Sequence, residues 1–115
     1  MENSELGPQP LDTLMDAWGL ANHDLVEAST EQLTHKQVQR ARKGRRLTLK
    51  MMQKLARTLN VAVWQRLTDE ERAGYFEYFH KHLFSYAKGY EAGWADPNSA
   101  IMPAVRAGGR KLRPL

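Results

Sequence analysis

The sequence predicts an all-α fold, and three features carry that expectation. Apolar residues recur at three- and four-residue intervals along most of the chain. Residues that cap helix N-termini, among them Thr34, Thr48 and Thr68, stand just before these runs. Residues that end helices in the left-handed conformation, Gly19, Gly44 and Asn60, stand just after them. At 115 residues the chain fits one domain with a modest core. That length does not favour two ordinary domains or a catalytic cleft with its own lid.

Residues 1–9 are polar, include Gly7 and Pro8, and read as a disordered N-terminus. Pro10 suits the first turn of a helix, and Leu11, Leu14, Met15 and Trp18 form an i, i+3, i+4, i+7 stripe that stops before Gly19. Asn22 is the expected N-cap of a short second helix reaching about Ala28, with Leu25, Val26 and Ala28 turned inward. Residues 29–33 connect it onward, and Leu33 plugs the core. Thr34 and Gly44 frame a third helix of nine residues, about 13.5 Å long. Its Val38 and Ala41 point one way, while Lys36, Gln39, Arg40 and Lys43 point the other. So short and cationic a helix does not persist alone in water and must be docked on its neighbours. Thr48 caps a fourth helix, with Leu49, Met52, Leu55, Ala56 and Leu59 as its apolar face and Asn60 as its terminator. Val61, Val63, Trp64 and Leu67 follow as an apolar connector that completes a domain spanning residues 10–67.

Thr68 and Glu71 make a capping-box pattern at the start of residues 68–94, with Asp69 and Glu70 favourable beside the positive helix terminus. A fifth helix of 22 residues, about 33 Å, is expected to reach Tyr90. Phe76, Phe79, Leu83, Tyr86 and Tyr90 alternate at intervals of three and four, the period of a coiled-coil seam, while Phe84 lies off that stripe. Two uses stand for these six residues: packing in the core, or a homodimer interface. His80 and His82 would not share a face of this helix, so no metal site is read there, and no cofactor is implied. From residue 95 to 115 the chain loses periodicity and reads as a flexible or loosely docked basic arm. Its Arg106, Arg110, Lys111 and Arg113 are either DNA contacts or a solubilising tail.

Charge is segregated along the chain. The net charge is +4, yet residues 1–33 hold seven acids and no Lys or Arg, whereas residues 34–66 hold ten Lys or Arg and no acid. Residues 67–97 hold six acids against three bases, and 98–115 hold four bases alone. Such a local positive field is the footprint of a polyanion partner. The chain has no Cys, which excludes disulfides and thiolate metal sites. It shows no signal-peptide pattern and no apolar run long enough to span a membrane, so a cytoplasmic location is the expectation.

The segment from Thr34, THKQVQRARKGRRLTLKMMQKLARTLNV, resembles the lambda-repressor/Cro-type (XRE-type) helix-turn-helix family. The likeness runs from about Leu14 to Val61, with Thr34, Val38, Gly44, Leu49, Leu55, Ala56, Leu59 and Val61 in matching places. It implies a helix-turn-helix domain of four to five helices whose third helix enters the major groove of double-stranded DNA. By position it nominates His35, Lys36, Gln37 and Arg40 for base contacts, and Thr34, Lys43, Gly44, Arg45 and Arg46 for phosphate contacts. The outward direction of the helix independently favours Lys36 and Arg40 over Gln37. His35 and Gln37 have a second reading as capping or edge residues. The chain departs from the family in two places: the connection before Thr34 is about two residues longer, and Arg42 stands where the family often has an acid. Arg42 is expected to remove a customary internal ion pair and to add positive charge to the DNA-facing surface. Lys50, Lys54 and Arg57 read as solvated cations.

A sequence-specific DNA-binding transcriptional regulator is therefore the leading reading. The alternative is a protein-interaction module on the same fold, such as an antitoxin that holds a protein partner. An enzyme is not expected, because the chain has no phosphate-cradling glycine loop, no nucleophile–base motif and no HExxH.

Overall fold

Capping chemistry sets the limits of the first helices much as their end residues predict. The computed structural model describes residues 5–108. Among them every regular element is helical: α1 Pro10–Trp18, α2 Asn22–Ala28, α3 His35–Lys43, α4 Leu49–Trp64, α5 Asp69–Ala73 and α6 Met102–Ala107, with 3-10 turns at His80–His82 and Pro97–Ala100. The all-α expectation holds among these residues. Gly19 and Gly44 end α1 and α3 at φ +74° and +101°. Asn22 is the first residue of α2 rather than its cap; the Asp24 carboxylate accepts the Ala21 N–H at 2.7 Å and does the capping. The stripe Leu11, Leu14, Met15 and Trp18 is buried as one face of α1, and Leu33 is buried beside it in the same core.

The fourth helix does not stop at Asn60. It continues to Trp64, and Asn60 is a buried helical residue whose side chain serves a distant segment. Its Oδ1 accepts Tyr78 N–H at 2.9 Å and the Tyr75 hydroxyl at 2.6 Å, and its Nδ2 donates to Tyr78 O at 2.9 Å. Leu49, expected on the buried face, is 53% exposed, because it is the first residue of α4 and the buried stripe begins at Met52.

The long aromatic helix is overturned. The Thr68–Glu71 capping box forms, but α5 lasts five residues and ends at Gly74. Residues 75–79 then leave helical geometry, and two asparagine side chains take over the backbone bonding that a helix would have supplied. Asn60 binds both polar groups of Tyr78, and Asn98 binds both of Phe76, accepting its N–H at 2.8 Å and donating to its O at 2.7 Å. Folding back in this way buries Tyr78, Leu83 and Phe84 but leaves Phe79 54% and Tyr90 38% exposed. The interval pattern of Phe76, Phe79, Leu83, Tyr86 and Tyr90 is thus not a seam along one helix, and it supplies no coiled-coil interface. Trp18 Nε1 donates to the Tyr78 hydroxyl at 3.1 Å, and that hydroxyl donates to Asp96. Burial holds the Tyr75 and Tyr78 phenols above the ordinary tyrosine range, so both remain donors.

Both ends of the described chain are more tightly held than their composition suggests. Glu5 pairs with Arg45 in an isolated antiparallel bridge, Leu6 N–H reaches Gly44 O at 2.9 Å, and Gln9 N–H reaches Arg42 O at 3.0 Å. Gln9 is itself buried, its Oε1 accepting Ser85 N–H at 2.7 Å and Ser85 Oγ–H at 2.9 Å. Residues 5–9 are therefore a docked strap rather than a disordered lead. At the other end α6 packs on α1 and buries Met102 and Val105, so the basic arm is docked as far as Ala107. Arg106 lies exposed over Gly19, while Arg110, Lys111 and Arg113 fall outside the described residues.

Two predictions follow from this packing. Asn60→Ala leaves the Tyr78 backbone groups buried without partners, and each such group costs about 1–3 kcal/mol. Urea unfolding is expected to show a loss of at least ~2 kcal/mol, with recovery absent in Asn60→Asp, which cannot donate to Tyr78 O. The second concerns His82, whose Nδ1 accepts Phe79 N–H at 2.9 Å while its ring stacks on Trp94 at 4.2 Å. Burial first, then neighbouring Lys81, hold this imidazole below its ordinary 6.5. The unfolded chain then binds the proton more readily, so stability is full above pH 6.5 and falls as pH drops from there towards the folded-state value. Chemical unfolding between pH 7.5 and 5 is expected to show that fall, reduced in His82→Asn; an unchanged slope in the variant would refute the assignment.

Candidate nucleic-acid interface

α3 is nine residues long, and only Val38 and Ala41 on it are buried. A helix of this length needs fixed ends. At its start Thr34 Oγ1 accepts Gln37 N–H at 3.1 Å, and Gln37 Oε1 accepts Thr34 N–H at 3.0 Å. Gln37 is therefore a cap, with its acceptor spent within the protein, which is the second of its two expected roles. Near the end of α3, Arg40, Arg42 and Lys43 stand where cations complement the helix dipole.

Arg42 corrects the sequence expectation. It does not add charge to the outer surface, because its guanidinium turns back onto α1 and α2. Nε meets Asp12 Oδ1 at 2.6 Å, one terminal nitrogen meets Asp16 Oδ1 at 3.0 Å, and the other donates to Asn22 Oδ1 at 2.7 Å. An internal ion pair is thus present, with the cation on α3 and the acids on α1. Asn22 passes the contact on, its Nδ2 donating to Gln39 Oε1 at 2.8 Å.

The residues left outward on α3 are His35, Lys36, Gln39, Arg40 and Lys43, all exposed. Lys36, Arg40 and Lys43 carry no acceptor, the Gln39 carbonyl is engaged by Asn22, and no carboxylate belongs to the helix. Gln39 was not among the nominated contacts; its place in the middle of the outward face was the signal that could have found it.

The loop from Gly44 to Thr48 is built as firmly as the helix. A Cβ on Gly44 would lie 2.2 Å from Gly7 O, so the close approach of the N-terminal strap requires glycine here. Gly44 is buried and its N–H goes to Ala41 O at 3.3 Å, so it has no donor to offer a phosphate, contrary to its nomination. On the other side of the loop the Tyr86 hydroxyl accepts Leu47 N–H at 2.9 Å and donates to Arg45 O at 3.2 Å. The Arg46 guanidinium lies 5.0 Å from the centre of the Tyr86 ring. Burial raises the Tyr86 phenol above its ordinary 10.0 and keeps it a donor. Arg46 and Lys43 are exposed, while Arg45 is half-buried and its Nε has no hydrogen-bond partner. Tyr86, expected in an aromatic seam, is thus a clamp on the basic loop, and no local pattern links residues 39 positions apart.

On α4 the expected solvated cations are partly tied down. Arg57 forks onto Glu31 at 2.9 and 3.1 Å and holds that carboxyl below its ordinary 4.5, chiefly by hydrogen bonding, while Lys54 Nζ donates to Gln32 O. Both contacts brace the connection between α2 and α3. Lys50 remains exposed.

No protein-family model matches the sequence, and no curated protein or solved structure matches it either.

Tyr86→Phe keeps the ring under Arg46 and removes both loop hydrogen bonds, at a cost of about 1–3 kcal/mol. Native-state hydrogen exchange is expected to quicken at Leu47 N–H well beyond any change at Leu55 or Leu59. Equal acceleration throughout would show a general loss of stability instead of a released loop.

Proposed function

We propose that the protein is a sequence-specific double-stranded DNA-binding transcriptional regulator, with α2 and α3 as a helix-turn-helix of the lambda-repressor type. The observation that carries this reading is the outward face of α3, an exposed arc of His35, Lys36, Gln39, Arg40 and Lys43 on a helix anchored from behind by Val38, Ala41 and Arg42. An α-helix of this kind fits the major groove, and Arg or Lys there can bind guanine O6 and N7. Lys36 and Arg40 are the principal readers, with His35 beside them at the start of the helix. Lys43, Arg45 and Arg46 grip phosphate, and Thr34 stands exposed at the helix N-terminus as a further backbone contact. Phosphate contacts hold the register of the complex, whereas base-edge contacts supply its specificity. The protein acts in the cytoplasm as a homodimer, which would place two copies of α3 about one helical turn of DNA apart.

Titration of a cognate and a scrambled duplex at two salt concentrations tests the division of labour. Neutralising about six phosphates gives a log–log salt slope near −5 for the unaltered protein. Arg40→Ala is expected to lose about 1–3 kcal/mol of preference for the cognate duplex while keeping its affinity for the scrambled one. Arg45→Ala combined with Arg46→Ala is expected to weaken both duplexes alike and flatten the slope by about two. Equal losses on both duplexes for every variant would defeat the assignment.

A further inference from the structure

We propose that the centre of the α3 face, from Lys36 to Lys43, is a donor-presenting reading edge selecting guanine, and that Asn22 and Arg42 impose this by fixing the orientation of the Gln39 amide; the ligand part of the proposal rests on the DNA-binding reading above. The argument begins behind the helix. A guanidinium has hydrogen-bond donors and no acceptor. Asp12 and Asp16 take two of the nitrogens of Arg42, and the third donates to Asn22 Oδ1 at 2.7 Å. Asn22 must therefore turn its carbonyl towards Arg42, which leaves its NH2 directed at α3. That NH2 meets Gln39 at 2.8 Å, and only the Gln39 carbonyl can receive it. Gln39 is left with its NH2 for a ligand. The group that Gln39 leaves for a ligand is fixed as its NH2 by a chain of contacts that begins at two carboxylates on α1.

Gln39 then joins its neighbours. Lys36, Arg40 and Lys43 are donors without acceptors, and the Gln39 carbonyl is engaged by Asn22, so the centre of the exposed arc offers a ligand mainly donors. In the major groove guanine presents two acceptors, O6 and N7, and thymine only one, O4, beside a methyl group, whereas adenine and cytosine each present an amino donor that this face cannot satisfy, so guanine gives neighbouring donors the most to bind. The favoured ligand is duplex DNA with guanine facing α3. Asn22 and Arg42 act as positioning residues for specificity although both lie behind the reading face.

The relay can be reversed without altering a residue on the reading face. In Asn22→Asp the new carboxylate accepts from Arg42 and can only accept from Gln39, which must rotate its amide and present Oε1 outward. Selection of bound sites from a random duplex pool is expected to enrich guanine opposite α3 for the unaltered protein. For Asn22→Asp, one base pair of the site shifts to a base with an exocyclic amino group, adenine or cytosine, with a change in discrimination of about tenfold. Gln39→Glu, which places an acceptor there directly, is expected to shift the same position and serves if Asn22→Asp folds poorly. Sidechain-amide NMR of the free protein reads the relay without DNA: the Gln39 Nε2 protons exchange freely in the unaltered protein, and one becomes protected in Asn22→Asp. Unchanged preference in both variants overturns the proposal, and so does protection that does not change in Asn22→Asp. If the unaltered protein enriches no motif, the DNA-binding reading and the guanine assignment fall together, and the NMR result alone decides whether the relay exists.

Discussion

Arg42 is the contact on which the presentation of α3 depends. The helix is too short to persist unaided and buries only Val38 and Ala41, so its orientation needs a second constraint from the side. The Arg42 guanidinium supplies it by joining α3 to both α1 and α2. Its arms are not equal. Asp16 is 69% exposed, and a solvent-screened pair of that kind contributes ~0–1 kcal/mol. The arms to Asp12 and Asn22 are more sheltered, and their directional hydrogen bonds do most of the positioning. The same group that anchors the helix also withdraws one positive charge from its outer face, so the exposed arc is set by what Arg42 does behind it.

A second constraint comes from far along the chain. The basic loop after α3 lies between the N-terminal strap, which presses on Gly44, and the Tyr86 side chain, which takes up the backbone at Arg45 and Leu47. The strap and the first turn of α1 also hold the segment before Tyr86, through Gln9 with Ser85 and through Leu11 N–H with Leu83 O at 3.0 Å. Residues after α5 are consequently part of the same core as the first four helices, and they shape the cationic surface without contributing its charge.

The fate of the aromatic stretch shows why local periodicity misled. A helix through residue 90 would have satisfied its own backbone and lined up five apolar side chains. In the folded chain Gly74 interrupts it, and Asn60 and Asn98 satisfy the backbone of Tyr78 and Phe76 instead. The gain is a cluster in which Trp18, Trp64, Tyr75, Phe76, Tyr78 and Trp94 meet mostly edge to face, with the Trp18 and Tyr78 polar atoms paired. Periodicity cannot weigh that gain, because both asparagines and half of the rings come from other parts of the chain.

What could be read from residues alone was what short-range physics decides. The starts of α3, α4 and α5 followed from their capping threonines, the ends of α1 and α3 from glycines that accept positive φ, and buried faces from the spacing of apolar residues, as Leu11–Trp18 and Val38–Ala41 illustrate. The segregation of cations into residues 34–66 was equally plain. The tertiary structure alone decided which of those cations face outward, that Arg42 turns in, that Gly44 is covered, and that Tyr86 grips the loop. Each of these outcomes depends on hydrogen-bonding partners distant in sequence or on competition between a local and a remote partner. A side chain's composition and spacing state what it can bond to, and only the folded neighbourhood settles which bond it makes.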